Sequence, residues 1–458
     1  SFGETIGGVG SAIAVKRGKY DIDDGVFSGV LVLQPDRGHN IDAPIDWQGR
    51  FHTFDFTLTP YYGTKALSFK DAQKTLELEY VMTRLFTDRA DVPVSGADAD
   101  AIRSANATAG DPILPIPSGR NAILSTMPSA PAENHIAFDP EGVVQNADGS
   151  YWVSDEYGPT IHLFDSTGRL IHSMNPPDAA LPRTAARSIN FTSASDPSSG
   201  RAANQGLEGL TASSDGNTLY ALLQSALMQD GGSSDDKTTN RFTRLFAWDV
   251  SAVFSSSSSS WPPPLVGEWV VPLPISDKNK SRATSEVHFL NTHQFLVLSR
   301  DGDGHGSDDL SSGYKGIDLI DISNATNIAG RFDGPTGAIA PKGQLIAGVT
   351  PALYQSFVSL IDDTQLARFG LHNGKPENSQ LIDGKWESIA LAPIQDEDFP
   401  DDYFLFTVSD NDFQTTNGVS LGKKYDDDID VDTQLLVFRV TLPSVARGSV
   451  EQAISFDG

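Results

Sequence analysis

Apolar residues in this chain recur in short runs, and turn sequences separate each run from the next. Four stretches share one arrangement: a Glu, a short apolar strand, a turn, a second apolar strand and a polar cluster. They are PEGVVQNADGSYWVSDE (140–156), LEGLTASSDGNTLYALLQS (207–225), SEVHFLNTHQFLVLSRD (285–301) and WESIALAPIQDEDFPDDYFLFTVSD (386–410). Two of the turns contain Asp-Gly, which favours a β-hairpin. Each stretch therefore predicts a hairpin that begins at a Glu.

The repetition of this unit predicts a β-propeller. A third apolar strand follows each hairpin, at 161–168, 244–250, 316–323 and 434–440. The recurring glutamates lie 67, 78 and 101 positions apart, at Glu141, Glu208, Glu286 and Glu387. This spacing is longer and less regular than that of WD40 repeats and suits blades with long insertions. We predict an all-β fold, with residues 1–458 forming a single β-propeller domain of five to seven blades, six being preferred.

The N-terminal part of the chain and one later segment refine this fold prediction. Residues 27–40 and 50–58 fit the strand plan, so the N-terminal part is expected to form a blade of its own. Residues 350–370 have helical spacing and predict an inserted helix.

The charge of the chain excludes several classes of partner. The chain has 33 Lys+Arg against 60 Asp+Glu, a net charge of −27. Nucleic acids and acidic membrane surfaces bind through Lys and Arg, so neither is an expected partner. The chain has no cysteine, which excludes thiol catalysis, thiolate zinc sites and disulfides.

Several features predict a secreted protein. No apolar run approaches the roughly 18–20 residues of a membrane span. The chain begins Ser-Phe-Gly without Met, as expected if a signal peptide is removed. N-glycans are expected on a secreted monomer at four sequons, Asn106, Asn190, Asn279 and Asn324.

Hairpin register predicts where the glutamates lie. Residues that are equally distant from a turn pair across the hairpin. This places each Glu opposite the end of the next strand, in the pairs Glu141–Asp155, Glu208–Gln224, Glu286–Arg300 and Glu387–Asp410. If these hairpins are the inner strands of successive blades, all four open ends face one mouth of the central channel.

Carboxylates gathered at one mouth repel each other and are costly to bury, so a cation is the simplest remedy. Oxygen ligands favour Ca²⁺, with Mg²⁺ or Mn²⁺ as alternatives. The candidate metal ligands are Glu141, Asp155, Glu208, Glu286, Asp301, Glu387 and Asp410. Arg37 and Arg300 are candidates for holding a phosphate or carboxylate group. Alternatively, each Glu accepts main-chain hydrogen bonds from a neighbouring blade and is structural. The Gly after Glu141 and after Glu208 predicts tight packing of the inner strands.

Other motifs are weaker. DGDGHGSDD (301–309) resembles half of an EF-hand loop but lacks the Glu at position twelve, so a solvated acidic loop is an equal alternative. His39 and His135 neighbour the expected mouth as acid/base candidates, although a structural role is commoner. The chain has no GxSxG, Walker or Rossmann motif.

The four Glu-led stretches resemble the phytase-like family, which is described as having the esterase-like activity of phytase. The resemblance is particularly to the secreted fungal type of this family. The most specific match is DPEGVVQNADGSYWVSDEYGP followed by NQGLEGL. The resemblance implies a β-propeller with an acidic active centre, calcium and phosphoester hydrolysis. The acidic positions that it carries over are Glu141, Asp155, Glu156, Glu208, Glu286, Asp301, Glu387 and Asp410. Gln224 departs from the acidic pattern.

Three functions remain open. The first is a secreted, metal-dependent hydrolase of an ester, with a phosphoester such as a sugar phosphate as the first candidate. In it Glu141, Glu208, Glu286 and Glu387 hold the metal or act as general base, with Glu141 and Glu208 as the catalytic candidates. Arg37 and Arg300 stabilise developing negative charge. The second is a lactonase or sugar-acid esterase. The third is a non-catalytic propeller that binds a glycan, a metal or a protein.

Overall fold

The strands form five antiparallel sheets that follow one another along the chain. The structure is a computed structural model that describes residues 3–40, 44–103, 116–118, 135–254 and 261–456. Blade I contains β1 (Ala12–Val15), β2 (Asp21–Asp23), β3 (Val26–Gln34), β4 (Arg50–Leu58) and β5 (Leu76–Leu85). A short helix, α1 (Phe69–Ala72), and a 3-10 turn (Gln73–Thr75) precede β5. A small hairpin of β6 (Ala101–Ile102) and β7 (Pro117–Ser118) then leads to blade II.

Blades II to IV each have four strands in simple succession. Blade II contains β8 (Pro140–Gln145), β9 (Tyr151–Asp155), β10 (Ile161–Phe164) and β11 (Leu170–Met174). Blade III contains β12 (Leu207–Ala212), β13 (Thr218–Leu223), β14 (Phe242–Asp249) and β15 (Leu265–Pro272), with a 3-10 turn at Met228–Asp230. Blade IV contains β16 (Thr284–Asn291), β17 (Gln294–Arg300), β18 (Lys315–Asp321) and β19 (Leu353–Ser359). A 3-10 turn at Pro341–Gly343 precedes β19, and helix α2 (Asp363–Arg368) follows it.

Blade V has a divided inner strand. Its strands are β20 (Lys385–Trp386), β21 (Ala390–Pro393), β22 (Asp402–Asp410) and, after a small hairpin of β23 (Gly418–Ser420) and β24 (Lys423–Tyr425), β25 (Leu435–Thr441). Both β20 and β21 pair with the same side of β22, so together they take the place of one inner strand. The chain ends in helix α3 (Ser449–Ile454).

Alternating side chains of each middle strand pack against the two neighbouring blades, as the two-residue period of a strand requires. In β17, Phe295 and Val297 join the core shared with blade III, whereas Leu296 and Leu298 join the core shared with blade V. Separate apolar cores of this kind fill the I–II, II–III, III–IV, IV–V and V–I interfaces. The five sheets therefore close into a ring, which makes the fold a five-bladed β-propeller.

Both chain ends reinforce the junction between blades V and I. The Thr5 N–H donates to the carbonyl of Val419 at 3.0 Å, and the Gly8 N–H donates to Asn411 Oδ1 at 2.7 Å. At the opposite end of the channel, the Gly18 N–H donates to the carbonyl of Ile454 in α3 at 2.7 Å. The ring is thus closed by packing and by these two terminal segments.

The all-β propeller is confirmed, with five blades instead of the preferred six but within the expected range. The prediction of a helix over 350–370 was wrong for most of that segment, which forms β19 and then the six-residue helix α2. The edge position explains the difference: β19 is the outermost strand, so its exposed faces carry a mixed pattern that reads as helical.

Candidate functional site

A β-bulge or a break interrupts the inner strand of each blade from II to V near one end of the channel. In β12, Leu207 pairs with Leu223 and Gly209 pairs with Leu222, so Glu208 is the extra residue. In β8, Pro140 pairs with Asp155 and Val143 with Val153, which places Glu141 in the equivalent irregularity. Bulges bend a strand and redirect its side chains. These bulges turn Glu141 and Glu208 towards the channel mouth.

The close approach of the inner strands explains the glycines that follow. A Cβ on Gly142 would lie 2.4 Å from Leu210 Cβ, and one on Gly209 would lie 2.6 Å from the Val287 nitrogen. Only a residue without a side chain fits here without a shift. The tight packing expected from these glycines is therefore present.

The observed pairing differs from the sequence-based register in all four blades. The observed partners are Pro140 with Asp155, Leu207 with Leu223, Glu286 with Leu298 and Lys385 with Asp410. None of the four glutamates therefore lies directly opposite the residue expected for it. A one-residue shift in a strand moves a side chain to the opposite face. In blade II, Glu156 instead of Asp155 consequently lies close to Glu141.

Carboxylates from four blades converge at this end of the channel, which we call the acidic mouth. They are Asp36, Asp139, Glu141, Glu156, Glu208, Glu387, Asp410 and Asp412. The basic side chains that form ion pairs with them are Arg37, Arg300 and Lys385. Among the described residues, eight carboxylates thus face three paired cations.

Two groups of three carboxylates lie close together: Asp36, Asp410 and Asp412 form one, and Asp139, Glu141 and Glu156 form the other, which we call the blade II cluster. In the blade II cluster, one oxygen of each residue lies within 4.8 Å of the others, and all three side chains are buried. Asp139 Oδ1 and Glu156 Oε1 have no hydrogen-bond donor among the described residues. A proton or a cation between these carboxylates would supply the missing partner. Such an oxygen-only set fits a hard divalent ion.

Cations pair with several carboxylates of the mouth, including Asp139 of the blade II cluster. Arg37 Nη1 lies 3.0 Å from Asp139 Oδ2 and also donates to Asn204. Lys385 Nζ lies 2.8 Å from Asp410 Oδ2 and 2.6 Å from Asp412 Oδ1.

Two further contacts complete the mouth. The Arg300 guanidinium donates to Glu387, and Gln224 donates its amide to Glu208. Each basic group is thus already engaged with a carboxylate.

Burial and mutual repulsion raise the pKa of the mouth carboxyls. Burial, followed by the charge of Glu208, raises the pKa of Glu156 to about 8. Burial and the charge of Glu387 raise the pKa of Glu208 to about 8. Burial raises the pKa of Asp139 to about 7 although Arg37 opposes the shift. Without a cation, these groups retain protons near neutral pH.

Three of the predicted metal ligands lie outside this mouth. Asp155 accepts main-chain N–H bonds from Asp139, Tyr157 and Gly158, at 3.0, 3.1 and 2.8 Å. Glu286 Oε1 accepts from the Leu210 and Val287 nitrogens at 3.0 and 2.8 Å. These contacts match the structural alternative considered for the glutamates.

The acidic loop at 301–309 also has local contacts. Asp301 accepts from the Ser312 hydroxyl at 2.7 Å and from the Gly313 and Tyr314 nitrogens. Burial alone would raise the pKa of Asp301, but the Ser312 hydrogen bond and the Lys315 charge lower it overall. Asp301 thus organises its own loop.

The sequence analysis did not select Asp36, Asp139 or Lys385 for the site. Asp139 stands two residues before Glu141 in Asp-Pro-Glu-Gly, and Asp36 immediately precedes Arg37. Their neighbours had been selected, so proximity along the chain was the available signal. Lys385 likewise stands two residues before Glu387, in the two-residue strand β20.

The two candidate histidines have structural partners. His39 Nε2 lies 2.9 Å from Asp427 Oδ1, and its ring stacks on Tyr425 with centroids 3.8 Å apart. His135 Nδ1 lies 2.9 Å from the carbonyl of Pro93.

The other end of the channel, which we call the closed end, is lined mostly by apolar side chains. A cavity of about 100 Å³ lies there between inner strands and α3, with Ile13, Leu210, Leu391 and Ile454 in its wall. Glu286 and His288 also line it. Burial raises the pKa of Glu286 well above its usual range and lowers that of His288 to about 4. His288 is therefore neutral near neutral pH.

Fold and site together define a class, a five-bladed propeller with buried carboxylates at one mouth of its channel. The profile of the phytase-like family, described as "esterase-like activity of phytase", matches residues 11–413. The chain belongs to this family, as its sequence motifs indicated.

A curated relative supports the expected localisation. An uncharacterized secreted protein of Arthroderma benhamiae is 35% identical over 458 residues, covering 92% of this chain and 85% of its own. The predicted secreted character is confirmed through this relative. Among the described residues, no helix combines the length and apolarity that crossing a bilayer requires.

Solved structures resemble the chain only distantly. A yeast complex of Dbp5 with Nup159 and Gle1 gives a TM-score of 0.28 at 9% identity, covering 89% of this chain and 72% of the other. An ancestral GH74 enzyme gives 0.29 at 11% identity, covering 91% and 37%. Yeast Sqt1 gives 0.28 at 8% identity, covering 96% and 97%. The fold assignment rests on the sheet topology instead.

Proposed function

We propose that this protein is a secreted, metal-dependent hydrolase of an ester, with a phosphoester as the first candidate, and that its site is the acidic mouth. One observation carries the proposal: the buried carboxylates of the blade II cluster meet with two unpartnered oxygens. The family description, esterase-like activity of phytase, supports the reaction class. A fold alone would not.

Asp139, Glu141 and Glu156 would hold the ion. Ca²⁺ fits the flexible carboxylate set best, and Mg²⁺ or Mn²⁺ are alternatives. When bound, such an ion lowers the pKa of a coordinated water and polarises an ester oxygen.

Side chains around the cluster supply binding and proton transfer. Arg37, beside Asp139, and Arg300, beside Glu387, would stabilise negative charge that develops on the ester. Burial and the nearby charges of Glu387 and Asp139 raise the pKa of Glu208 to about 8, so this carboxyl keeps a proton near neutral pH. This makes Glu208 the candidate acid/base group.

The test combines metal analysis with turnover. Purified protein is assayed for bound metal, and then with p-nitrophenyl phosphate, phytate and simple lactones, with and without a chelator. We expect about one divalent ion per chain and ester turnover that the chelator removes and Ca²⁺ restores. Absence of turnover on every substrate, with the ion bound, would contradict the hydrolase proposal and favour the binding function.

A second candidate, a lactonase or sugar-acid esterase, is favoured by the charge of the mouth. Arg37, Arg300 and Lys385 are each already paired with a carboxylate. An uncharged ester enters this mouth without repulsion, whereas a phosphate must compete with those carboxylates. Lactone turnover without phosphatase activity would decide for this candidate.

We propose further that the protein is a monomer carrying N-glycans. Asn279 and Asn324 are exposed, whereas Asn190 is half-buried; Asn106 lies outside the described residues. Glycosidase treatment should lower the mass of the protein if N-glycans are present. This loss of mass should be smaller in the Asn324→Gln variant.

A further inference from the structure

A second cavity opens within the part of the acidic mouth that blades IV and V form. It has a volume of about 240 Å³ and lies between the loop after β17, the start of blade V and the segment after β22. Its side-chain walls include Arg300, His305, Lys385, Asp410, Asp412 and Gln414. Pockets for drug-sized ligands usually measure roughly 300–1,000 Å³, so this cavity suits one small ring.

Both Lys385 and Arg300 in its walls are already paired with carboxylates. Lys385 pairs with Asp410 and Asp412, and Arg300 pairs with Glu387. An anion that enters would have to displace these carboxylates from their cations, leaving buried charges without partners. The net charge of −27 also disfavours the approach of an anion.

The walls nevertheless present many hydrogen-bonding groups. Arg300 and Lys385 are donors, and the carboxylates of Asp410 and Asp412 are acceptors. Gly302, Gly306 and Gly384 bring main chain directly to the surface of the cavity. The Gln414 amide is positioned by donating to the carbonyl of Gly306 at 3.3 Å. Closely spaced donors and acceptors of both kinds match hydroxyl groups, each of which donates and accepts.

From this arrangement we propose that the cavity binds an uncharged polyhydroxylated ring, of the sugar or cyclitol type, which is the non-reacting part of the substrate. Calling the ligand a substrate rests on the proposed function, whereas the binding itself does not. A hydroxyl can bridge Lys385 and Asp412 without breaking their ion pair. The reacting ester would then extend from the ring towards the blade II cluster.

The test measures binding without turnover. Methyl α-D-glucopyranoside and myo-inositol serve as neutral probes and inorganic phosphate as the anionic probe, by ligand-observed NMR titration of the full chain with excess Ca²⁺. We expect saturable binding of at least one neutral probe and no comparable binding of phosphate.

A pair of glycine variants locates that binding. Gly302 lines the cavity, and a Cβ there meets no atom within 4 Å. Gly334 lies on another part of the surface and has equally open space. Gly302→Leu should narrow the cavity and weaken neutral-probe binding at least tenfold, whereas Gly334→Leu should change it less than twofold. Thermal unfolding of both variants shows whether each is folded.

Several outcomes would overturn the assignment. Phosphate binding that Gly302→Leu abolishes would show an anion site, and absence of any probe binding would show no small-ligand site. Neutral binding that Gly302→Leu leaves unchanged would place the site elsewhere. The hydrolase proposal fails differently, through absent turnover while the neutral probe still binds. If turnover persists without neutral-probe binding, only the present inference is wrong.

Discussion

The same inner strands build both ends of the central channel, yet the two ends differ in chemistry. The acidic mouth gathers charged side chains at bulges and strand ends, and among its groups the blade II cluster lacks donors for two oxygens. The closed end has mostly apolar walls, to which α3 contributes. The bulges at the mouth redirect polar groups into the channel, whereas apolar side chains line most of the closed end.

Glu286 and Glu156 show the same contrast in two side chains. Both are buried glutamates with a raised pKa. Glu286 satisfies one oxygen with two main-chain N–H groups, and no other carboxylate contributes to its shift. Glu156 faces Asp139 and Glu208 instead. Burial of a carboxylate therefore indicates function only when its donors are missing.

The largest expected effect is on ion affinity. Glu156→Gln removes one charge from the blade II cluster and should weaken Ca²⁺ binding at least 100-fold, about 2.8 kcal/mol. Glu286→Gln is the matched control and should change the affinity less than threefold. Isothermal titration calorimetry measures both. Equal losses in the two variants would remove the distinction between the ends of the channel.

The next effect concerns the stability of the closed end. Ile454 is buried in the core shared by blades V and I. Ile454→Ala should lower the free energy of unfolding by about 2–4 kcal/mol through lost burial and a cavity. Gln452→Ala changes an exposed side chain of the same helix and serves as control. Ca²⁺ affinity of folded Ile454→Ala should stay unchanged; a large loss would show that the two ends are coupled.

The sequence predicted the architecture because alternation and repetition report burial directly. The four Glu-led hairpins are the inner and second strands of blades II to V. Blade number was not readable, since the N-terminal strands carry no such Glu.

The site was predictable only in part, because the register of the hairpins is shifted. Constant-sum pairing selected Asp155 and Glu286, but bulges between Pro140 and Val143 and between Thr284 and Glu286 shift the register. Neighbouring positions on a strand face opposite ways, so Glu156 and not Asp155 belongs to the blade II cluster. A bulge depends on contacts between blades and leaves little trace in one sequence.

The third effect is a pH dependence that belongs to the mouth. The pKa of Asp139 is raised to about 7, and those of Glu156 and Glu208 to about 8, by burial first. In the unfolded chain these groups ionise near pH 4. Between those limits the native state holds more protons, so stability falls as pH rises through the folded pKa values.

Thermal unfolding in chelator should therefore show a lower free energy of unfolding at pH 8.5 than at pH 5, by about 1–3 kcal/mol once mutual compensation is allowed for. Excess Ca²⁺ at pH 8.5 should restore it, because the ion replaces the protons. Glu156→Gln should reduce the pH slope. A stability that rises over this range would contradict the electrostatic account of the mouth.

The smallest effect tests whether the closed end opens locally. Arg17 donates to the carbonyls of Ala453 and Gln452, the latter at 3.0 Å, and so ties α3 to blade I. The side chain is only partly buried, so Arg17→Ala should cost about 0.5–1.5 kcal/mol. Because α3 is a terminal element, this loss should appear as local opening and not as global unfolding. Hydrogen exchange of the α3 amides should accelerate roughly three- to tenfold, with β22 unchanged as internal control. Acceleration in β22 as well would mean that α3 holds the whole ring together, and the closed end would then be part of the global folding unit.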